Sequence, residues 1–141
     1  MELKRFHATS IVFDNCGILI TGKSGFGKSD LALRLIDSGA TLISDDQTIC
    51  KKKNGEIFLF SPKETKGLLE VREVGIITVP YVEDVKLAMV VNLVDIEGER
   101  MPENKMLRIL GVKVPKLKIN AMKPSSVVKV KVKLNEIREI K

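Results

Sequence analysis

The stretch that decides the fold is Gly22-Lys23-Ser24-Gly25-Phe26-Gly27-Lys28-Ser29, in a chain of 141 residues. It matches the phosphate-binding pattern G-x-x-x-x-G-K-[ST] at every fixed position. The apolar residues 18–21 come immediately before it and predict a strand. Apolar residues recur at helical spacing behind it and predict a helix over residues 28–38, with Gly39 at its C-cap. A strand, a glycine-rich loop and a helix in this order form a P-loop unit, which indicates an α/β protein.

This loop has the residue types that a polyphosphate ligand needs. Its three glycines let the backbone curl so that N–H groups point at phosphate oxygens, and the following helix adds its positive N-terminal dipole. Lys28 can reach the β- and γ-phosphates, and the Ser29 hydroxyl can coordinate Mg²⁺. We therefore expect a nucleotide and Mg²⁺ to bind residues 22–29. The loop alone leaves the nucleotide and the acceptor open, although the chain lacks the Asn-Lys-x-Asp string of guanine-selective switches.

Two adjacent carboxylates follow the next predicted strand, residues 41–44. Asp45 and Asp46 stand seventeen and eighteen residues beyond Lys28. In open α/β sheets, ligands bind at the carboxyl ends of strands, so the pair can reach the phosphates that the loop holds. One aspartate can orient a metal ion or its water, and the other can take a proton from an attacking hydroxyl. A plain Asp-Asp turn between two strands is the alternative.

The remaining pattern predicts many strands around one early helix, in a single catalytic domain over residues 1–141. An Asn54-Gly55 pair predicts a hairpin turn, residues 103–110 predict a short helix, and residues 68–79 predict a loop between short β segments. Further strands are predicted at residues 8–13, 41–44, 48–51, 56–60, 85–94 and 127–134.

Positive charge is concentrated near the C-terminus. The net charge is +6, and residues 113–141 hold nine basic and two acidic residues. Such a segment can attract nucleic acid. However, valines and a leucine alternate with lysines over residues 128–134, which predicts a strand with one buried face and one solvated lysine face. No aromatic residue follows Tyr81 to stack on bases, so we expect no nucleic-acid partner.

Other features indicate a cytoplasmic protein that does not enter membranes. The N-terminal residues are charged and lack the apolar run of a secretory signal. The most apolar stretch, residues 87–94, is too short to span a bilayer as a helix. Cys16 and Cys50 do not have the spacing of a metal-ligand motif, and two cysteines are too few for a disulfide framework. This pattern is typical of reduced thiols.

Together these features resemble the catalytic domain of the HPr kinase/phosphorylase family. The resemblance covers nearly the whole chain, and one matching string, close to the family signature L-E-[IV]-R-G-[LV]-G-I-I, is far more specific than the P-loop. The matching strings are His7-Ala8, the P-loop, Ile43-Ser44-Asp45-Asp46, Leu69-Glu70-Val71-Arg72-Glu73-Val74-Gly75-Ile76-Ile77, Glu99-Arg100-Met101 and Ile109-Leu110-Gly111-Val112-Lys113-Val114-Pro115.

The resemblance implies roles for further residues. His7 aligns with an active-site histidine of the family, and Asp46 aligns with the residue that accepts the proton of the target serine. Glu70 aligns with a residue that makes a second contact to Mg²⁺, and Arg72 belongs to the same catalytic segment. Arg100 falls at an arginine that can balance charge on the transferring phosphoryl group. In the absence of the resemblance, Glu70, Arg72 and Arg100 would rank as surface charges.

The resemblance also implies a fold, a reaction and an assembly. The fold is like the nucleotide-binding core of phosphoenolpyruvate carboxykinase, with a P-loop in a mixed sheet that is not doubly wound. The reaction is serine phosphorylation of HPr, or of a related small phosphocarrier protein, by ATP with Mg²⁺. The assembly is a homo-oligomer, a hexamer. A nucleotide-sensing regulatory module that transfers nothing is the alternative function.

Three departures from the family pattern stand out. Full-length members carry an additional N-terminal domain, so the chain resembles a short form. The family's phosphorolysis segment, of the type Pro-Val-Arg-Pro-Gly-Arg-Asn, corresponds here to residues 120–126, which lack both arginines and the glycine. That loss puts the phosphate-driven reverse reaction in question. Glu73 stands where the family has glycine, a change for which we have no explanation.

Overall fold

Five of the strands and one helix in the first half of the chain lie where the sequence pattern places them. The structure, a computed structural model, describes residues 2–96 and 98–139. The helices there are α1 (Lys28–Asp37) and α2 (Ser126–Glu139), with a 3₁₀ turn at Lys63–Thr65. The strands there are β1 (Leu3–Phe6), β2 (Thr9–Phe13), β3 (Cys16–Thr21), β4 (Thr41–Ser44), β5 (Thr48–Lys53), β6 (Glu56–Phe60), β7 (Leu68–Val71), β8 (Gly75–Thr78), β9 (Val85–Leu93), β10 (Lys105–Ile109) and β11 (Val112–Ile119).

Nine of these strands form one curled mixed sheet, as predicted. Its order is β1-β5-β6-β9-β3-β2-β4, with β11 also paired to β9 and β10 paired to β11. Strand β9 is parallel to both β3 and β11 and antiparallel to β6. Strand β4 is antiparallel to β2, which is itself antiparallel to β3. Hence β4, β3, β9 and β11 run in the same direction and end at the same edge of the sheet. Strands β7 and β8 form a separate hairpin.

Two hydrophobic clusters pack on opposite faces of the central strands. Ile18 and Ile20 face a cluster that includes residues of both helices, whereas Leu19 between them faces a cluster made of strand residues with Ala8 and Leu110. The same alternation is seen along β9, where Val90 faces away from the helices. Because the described helices cover the same face, the sheet is not doubly wound, in agreement with the prediction.

Two turn signals are confirmed at the backbone level. Gly39 has φ +117°, and its N–H donates to Ile36 O while the N–H of Ala40 donates to Leu35 O, each at 3.0 Å. These two bonds are the Schellman pattern that closes a helix at a glycine. Asn54 and Gly55 have φ values of 52° and 77° between β5 and β6, as a two-residue type I′ hairpin turn requires.

The predicted strand at residues 127–134 is wrong, because this segment lies within helix α2. Val130 and Leu134 are buried, whereas Val128 and Val132 are each 60% exposed. Residues four apart share one face of a helix, and a strict alternation contains that spacing as well. The period of two was therefore compatible with both structures, and packing of Val130 and Leu134 against the core selects the helix.

The predicted helix at residues 103–110 is also wrong, since residues 105–109 form strand β10. Leu110 and Gly111, with φ values of 50° and 81°, make a tight turn into β11. Every residue of β10 is paired with β11, from Lys105 opposite Lys116 to Ile109 opposite Val112. Strands β1 and β11 were not predicted. In the described part of the chain, neither helix is of a length and apolar character that would cross a bilayer.

Candidate active site

Four loops follow the four strands that end at one edge of the sheet. The glycine-rich loop leaves β3 at Thr21, and the Asp45-Asp46 pair leaves β4 at Ser44. Residue 94 follows β9, and residue 120 follows β11. Because all four chain segments emerge at the carboxyl edge, they are placed where they can line one site.

The glycine-rich loop adopts a conformation that glycine permits. Gly22 has φ +148°, and a Cβ at this position would lie 3.0 Å from Leu93 Cβ and 3.1 Å from Leu93 O. The loop therefore passes so close to the end of β9 that a side chain at position 22 would make an unusually tight contact, at a φ that L-residues rarely adopt. Lys28, which is 8% exposed, folds back and donates to Gly22 O at 2.9 Å.

Asp45 is a buried carboxylate with three donors around it. Its Oδ1 accepts from Ser29 Oγ at 2.7 Å and from Thr9 Oγ1 at 3.0 Å. Its Oδ2 accepts from the backbone N–H of Glu70 at 3.0 Å. Asp45 is only 7% exposed, so these bonds replace the water it has lost. The carboxylate therefore ties the start of α1 to β2 and to the β7–β8 hairpin.

Asp46 has a different environment, although it is the next residue. It has φ +67°, and its side chain is 68% exposed. His7 Nε2 lies 3.4 Å from Asp46 Oδ1, and the His7 side chain is 61% exposed. Asp46 thus faces solvent at the carboxyl edge, with an imidazole beside it. The Asp46 carboxylate is therefore accessible from solvent.

The donor set suits Mg²⁺ together with phosphates. Mg²⁺ is usually held by one or two carboxylates plus substrate phosphate oxygens and water. The Ser29 hydroxyl and Asp45 Oδ1 lie 2.7 Å apart and offer two hard oxygen ligands. Within the described residues there is no group of three His, Cys, Asp or Glu side chains that could hold a metal ion by itself. Ser29 and Asp45 can therefore supply two of the oxygen ligands of such a cation.

Three of the predicted site residues, Glu70, Arg72 and Arg100, have exposed side chains. Glu70 belongs to β7, and its backbone N–H contacts Asp45 while its side chain is exposed. Arg72 lies in the turn that follows β7, and Arg100 lies between β9 and β10; both are exposed. The described residues show no hydrogen bond or ion pair between Arg100 and Asp46. The geometry therefore places His7 beside Asp46 and Ser29 beside Asp45. Lys28 lies in the adjacent loop, bonded to Gly22 O.

Two contributors were missed in the sequence analysis. Thr9 is fully buried, and its hydroxyl donates to Asp45 and accepts from the backbone N–H of Asp46 at 3.4 Å. Arg5 Nη1 donates to Gln47 Oε1 at 3.1 Å and to Glu64 Oε1 at 3.2 Å. A backbone hydrogen bond and the Arg5 charge lower the pKa of Glu64, against an opposite effect of desolvation. Arg5 therefore holds the residue that follows Asp46.

Arg34 of α1 is a further contributor, which fastens the segment 120–126 beside the glycine-rich loop. Its guanidinium donates to Ala121 O and to Ser126 Oγ, each at 2.7 Å, and to Asp30 Oδ2 at 3.0 Å. A Cβ at Gly27 would lie 3.3 Å from Met122 Cε. Only the Asp30 pair, at i and i+4, could be expected from the sequence. The other two contacts join residues about ninety positions apart.

Comparison with known proteins gives a consistent result. The sequence model of the family described as HPr Serine kinase C-terminal domain matches residues 2–139. A Clostridium beijerinckii protein named HPr kinase/phosphorylase is 37% identical over 82% of this chain and 42% of its own length. A Clostridium tetani protein of the same name is 47% identical over 54% of this chain and 25% of its own length. The chain thus spans about two fifths, or less, of the length of these curated relatives.

A solved structure supports the same relationship. The HPr(Ser) kinase/phosphatase from Coxiella burnetii superimposes with a TM-score of 0.82 at 28% sequence identity. The alignment covers 98% of this chain and 99% of that one.

Proposed function

Because this chain belongs to the HPr serine kinase C-terminal domain family, we propose that it transfers the γ-phosphoryl group of Mg·ATP to a serine of HPr or of a related small phosphocarrier protein. The observation that carries the proposal is that Asp45 and Asp46, although adjacent in sequence, have different surroundings. Asp45 is buried against Ser29 of the P-loop, and Asp46 faces solvent beside His7. A phosphoryl transferase needs both a metal-side carboxylate and an accessible base.

The glycine-rich loop binds the phosphates of the donor. Lys28 exchanges its bond to Gly22 O for the β- and γ-phosphate oxygens, and backbone N–H groups of residues 22–27 surround the polyphosphate. Ser29 and Asp45 would hold Mg²⁺ on the same phosphates, with Glu70 within reach of the site through β7. A metal ion held there would supply positive charge that offsets the charge developing on the transferring phosphoryl group.

Asp46 acts on the acceptor. Its carboxylate takes the proton of the serine hydroxyl as the serine oxygen bonds to the γ-phosphorus, and the bond between that phosphorus and the β–γ bridging oxygen breaks to release ADP. His7, 3.4 Å from Asp46, orients the carboxylate. Arg72, in the turn after β7, and Arg100, between β9 and β10, are exposed and would supply positive charge to the phosphoryl oxygens as the acceptor binds.

The forward reaction is the one that these residues favour. A reverse reaction driven by inorganic phosphate needs a cationic site for that phosphate. The segment 120–126, which is packed against Gly27 through Met122, contains one lysine and no arginine. The proposal therefore assigns kinase activity to the chain. It further takes residues 1–141 as one catalytic domain, working in the cytoplasm and assembled into a hexamer as the family resemblance implies.

The experiment that tests this proposal follows labelled phosphate into purified HPr. The chain is incubated with Mg·ATP carrying γ-labelled phosphate, and the modified residue is mapped by mass spectrometry. We expect a labelled serine with the wild-type chain and none with Lys28→Ala. Binding of ATP with no labelling of HPr or any paralogue would contradict the proposal and favour a regulatory module.

A further inference from the structure

We propose that a cleft between the glycine-rich loop and the end of strand β9 receives the nucleoside of the phosphate donor. This inference rests on the proposed function, because it names the part of the same site that binds the rest of the donor molecule. The cleft has a volume of about 470 Å³, within the range of about 300–1,000 Å³ typical of small-molecule sites. Its walls are formed by the P-loop on one side and residues 92–96 on the other.

The position of the cleft follows from the strand order. Strands β3 and β9 are parallel neighbours, with Thr21 opposite Asn92, so the P-loop and residues 94–96 leave the same edge side by side. Strand β4, which leads into Asp45 and Asp46, lies on the other side of β3, beyond β2. A donor that spans the P-loop thus has its γ-phosphate toward the acidic pair and its nucleoside toward β9.

The cleft is continuous with the phosphate-binding loop. Gly22, Lys23 and Phe26 belong to the loop and also line the cleft. A ligand anchored by its phosphates on the N–H groups of this loop can therefore extend into the cleft without leaving the protein surface. A free small molecule would need no such continuity, so the connection favours the nucleoside end of the donor as the occupant.

The chemistry of the walls suits a base and a ribose. Phe26, which is half-buried, and Ile96, which is 60% exposed, offer apolar surface. Asn92 Oδ1 accepts from Thr21 Oγ1 at 3.0 Å, which fixes the amide so that its N–H₂ group remains a donor. The exposed Asp95 carboxylate can accept hydrogen bonds from ribose hydroxyls. Flat apolar contact combined with a few polar groups is the usual pattern of ligand sites.

A second cleft of the same volume lacks these properties. It is lined by residues that include Val12, Thr41, Asp84 and Lys86, and none of its lining residues belongs to the P-loop. Asp84 is paired with Lys53, and Lys86 with Glu56. The charges there are engaged, and the cleft has no connection to a phosphate site, so the β9 cleft is the one we assign.

The test compares two ligands that share a triphosphate but differ in the nucleoside. Binding of Mg·ATP and of inorganic Mg·tripolyphosphate is measured by calorimetry for the wild-type chain and for Ile96→Ser. We expect Ile96→Ser to weaken ATP binding by about 5- to 10-fold, because apolar contact is lost, and to leave tripolyphosphate within about twofold. Val132→Ser is the matched control, since Val132 is also 60% exposed but lies on α2; it should change neither.

A second variant isolates the ribose contact. Asp95→Asn is expected to weaken binding of Mg·ATP by a fewfold and to leave Mg·2′,3′-dideoxy-ATP unchanged, because the analogue lacks both hydroxyls. Unchanged ATP binding in both variants, or an equal loss of ATP and tripolyphosphate, would overturn the cleft assignment while the proposed function stands. Failure of the wild-type chain to bind either ligand would overturn both.

Discussion

Ser29 at the start of α1 donates a 2.7 Å hydrogen bond to Oδ1 of Asp45, just after the end of β4. This bond joins the glycine-rich loop to the acidic pair, although strand β2 lies between β3 and β4 in the sheet. It also gives the two aspartates different surroundings. Asp45 is held by buried bonds, whereas Asp46, with φ +67°, projects into solvent. The metal side and the acceptor side of the site are therefore served by neighbouring residues of the chain.

Asp45→Asn should weaken both the fold and nucleotide binding. An asparagine can keep one acceptor oxygen, but its amide N–H₂ would meet one of the three donors that surround Asp45. An unsatisfied buried group of this kind costs about 1–3 kcal/mol, and the metal site loses its charge. Urea unfolding and calorimetry with Mg·ATP measure the two effects. Asp37→Asn, at an exposed position on helix α1, is the control and should leave both unchanged; wild-type affinity in Asp45→Asn would contradict the assigned metal role.

Gly22→Ala should abolish nucleotide binding before it unfolds the chain. The new Cβ would lie 3.0 Å from Leu93 Cβ and 3.1 Å from Leu93 O, at a φ of +148° that L-residues rarely adopt. Either the loop or the end of β9 must then shift, and the strained backbone at residue 22 disturbs the loop that is proposed to bind the phosphates. Gly55→Ala provides the comparison, because that glycine also has a positive φ but has open space around it and lies in the β5–β6 turn. Loss of ATP binding in Gly22→Ala alone is the expected result, whereas equal behaviour of the two variants would show that the contact with Leu93 is unimportant.

Arg34→Met should destabilise the chain by about 1–3 kcal/mol. The variant keeps the aliphatic stem but leaves Ala121 O and Ser126 Oγ without their 2.7 Å donors. Segment 120–126 is then freed from α1. Arg138→Met removes an ion pair with Asp14 between side chains that are 43% and 56% exposed, and such pairs contribute at most about 1 kcal/mol. The free energies of unfolding of both variants decide the matter: equal losses would mean that Arg34 is no more than a surface charge.

The stability should fall between pH 9 and pH 12 partly through Cys50. Burial raises the pKa of the Cys50 thiol from 9.0 to about 12. In that interval the unfolded chain has lost the thiol proton and the folded chain has kept it, so stability decreases as pH rises, by about 1.4 kcal/mol per pH unit for one proton. The contribution is complete below pH 9.

The variant Cys50→Ala lacks this contribution, so its difference in unfolding free energy from the wild type should shrink as pH rises from 8 to 10.5. Cys16→Ala, at the half-buried cysteine, is the matched comparison. A difference between wild type and Cys50→Ala that stays constant over this pH range would contradict the assignment.

The parts of the site that sequence predicted are those governed by local rules. The P-loop and the acidic pair follow from contiguous residues whose spacing carries its own chemistry. Helix α2 was mistaken for a strand because a short apolar alternation fits both backbones, and the tertiary contacts of Val130 and Leu134 select the helix. Strand β10 was mistaken for a helix because its pairing with β11 is a tertiary contact that the local sequence does not specify. Arg34 and Thr9 could not be found, since their partners lie far along the chain and no local pattern indicates such contacts.

The most direct test of the proposed mechanism separates binding from transfer at Asp46. Single-turnover transfer of phosphate from Mg·ATP to HPr is measured for the wild-type chain and for Asp46→Asn, together with the ATP affinity of each. Because Asp46 is exposed and makes no hydrogen bond to the P-loop in the described residues, we predict unchanged affinity with a transfer rate lower by about 10²- to 10⁴-fold. An unchanged transfer rate in Asp46→Asn would contradict the central claim that Asp46 is the base.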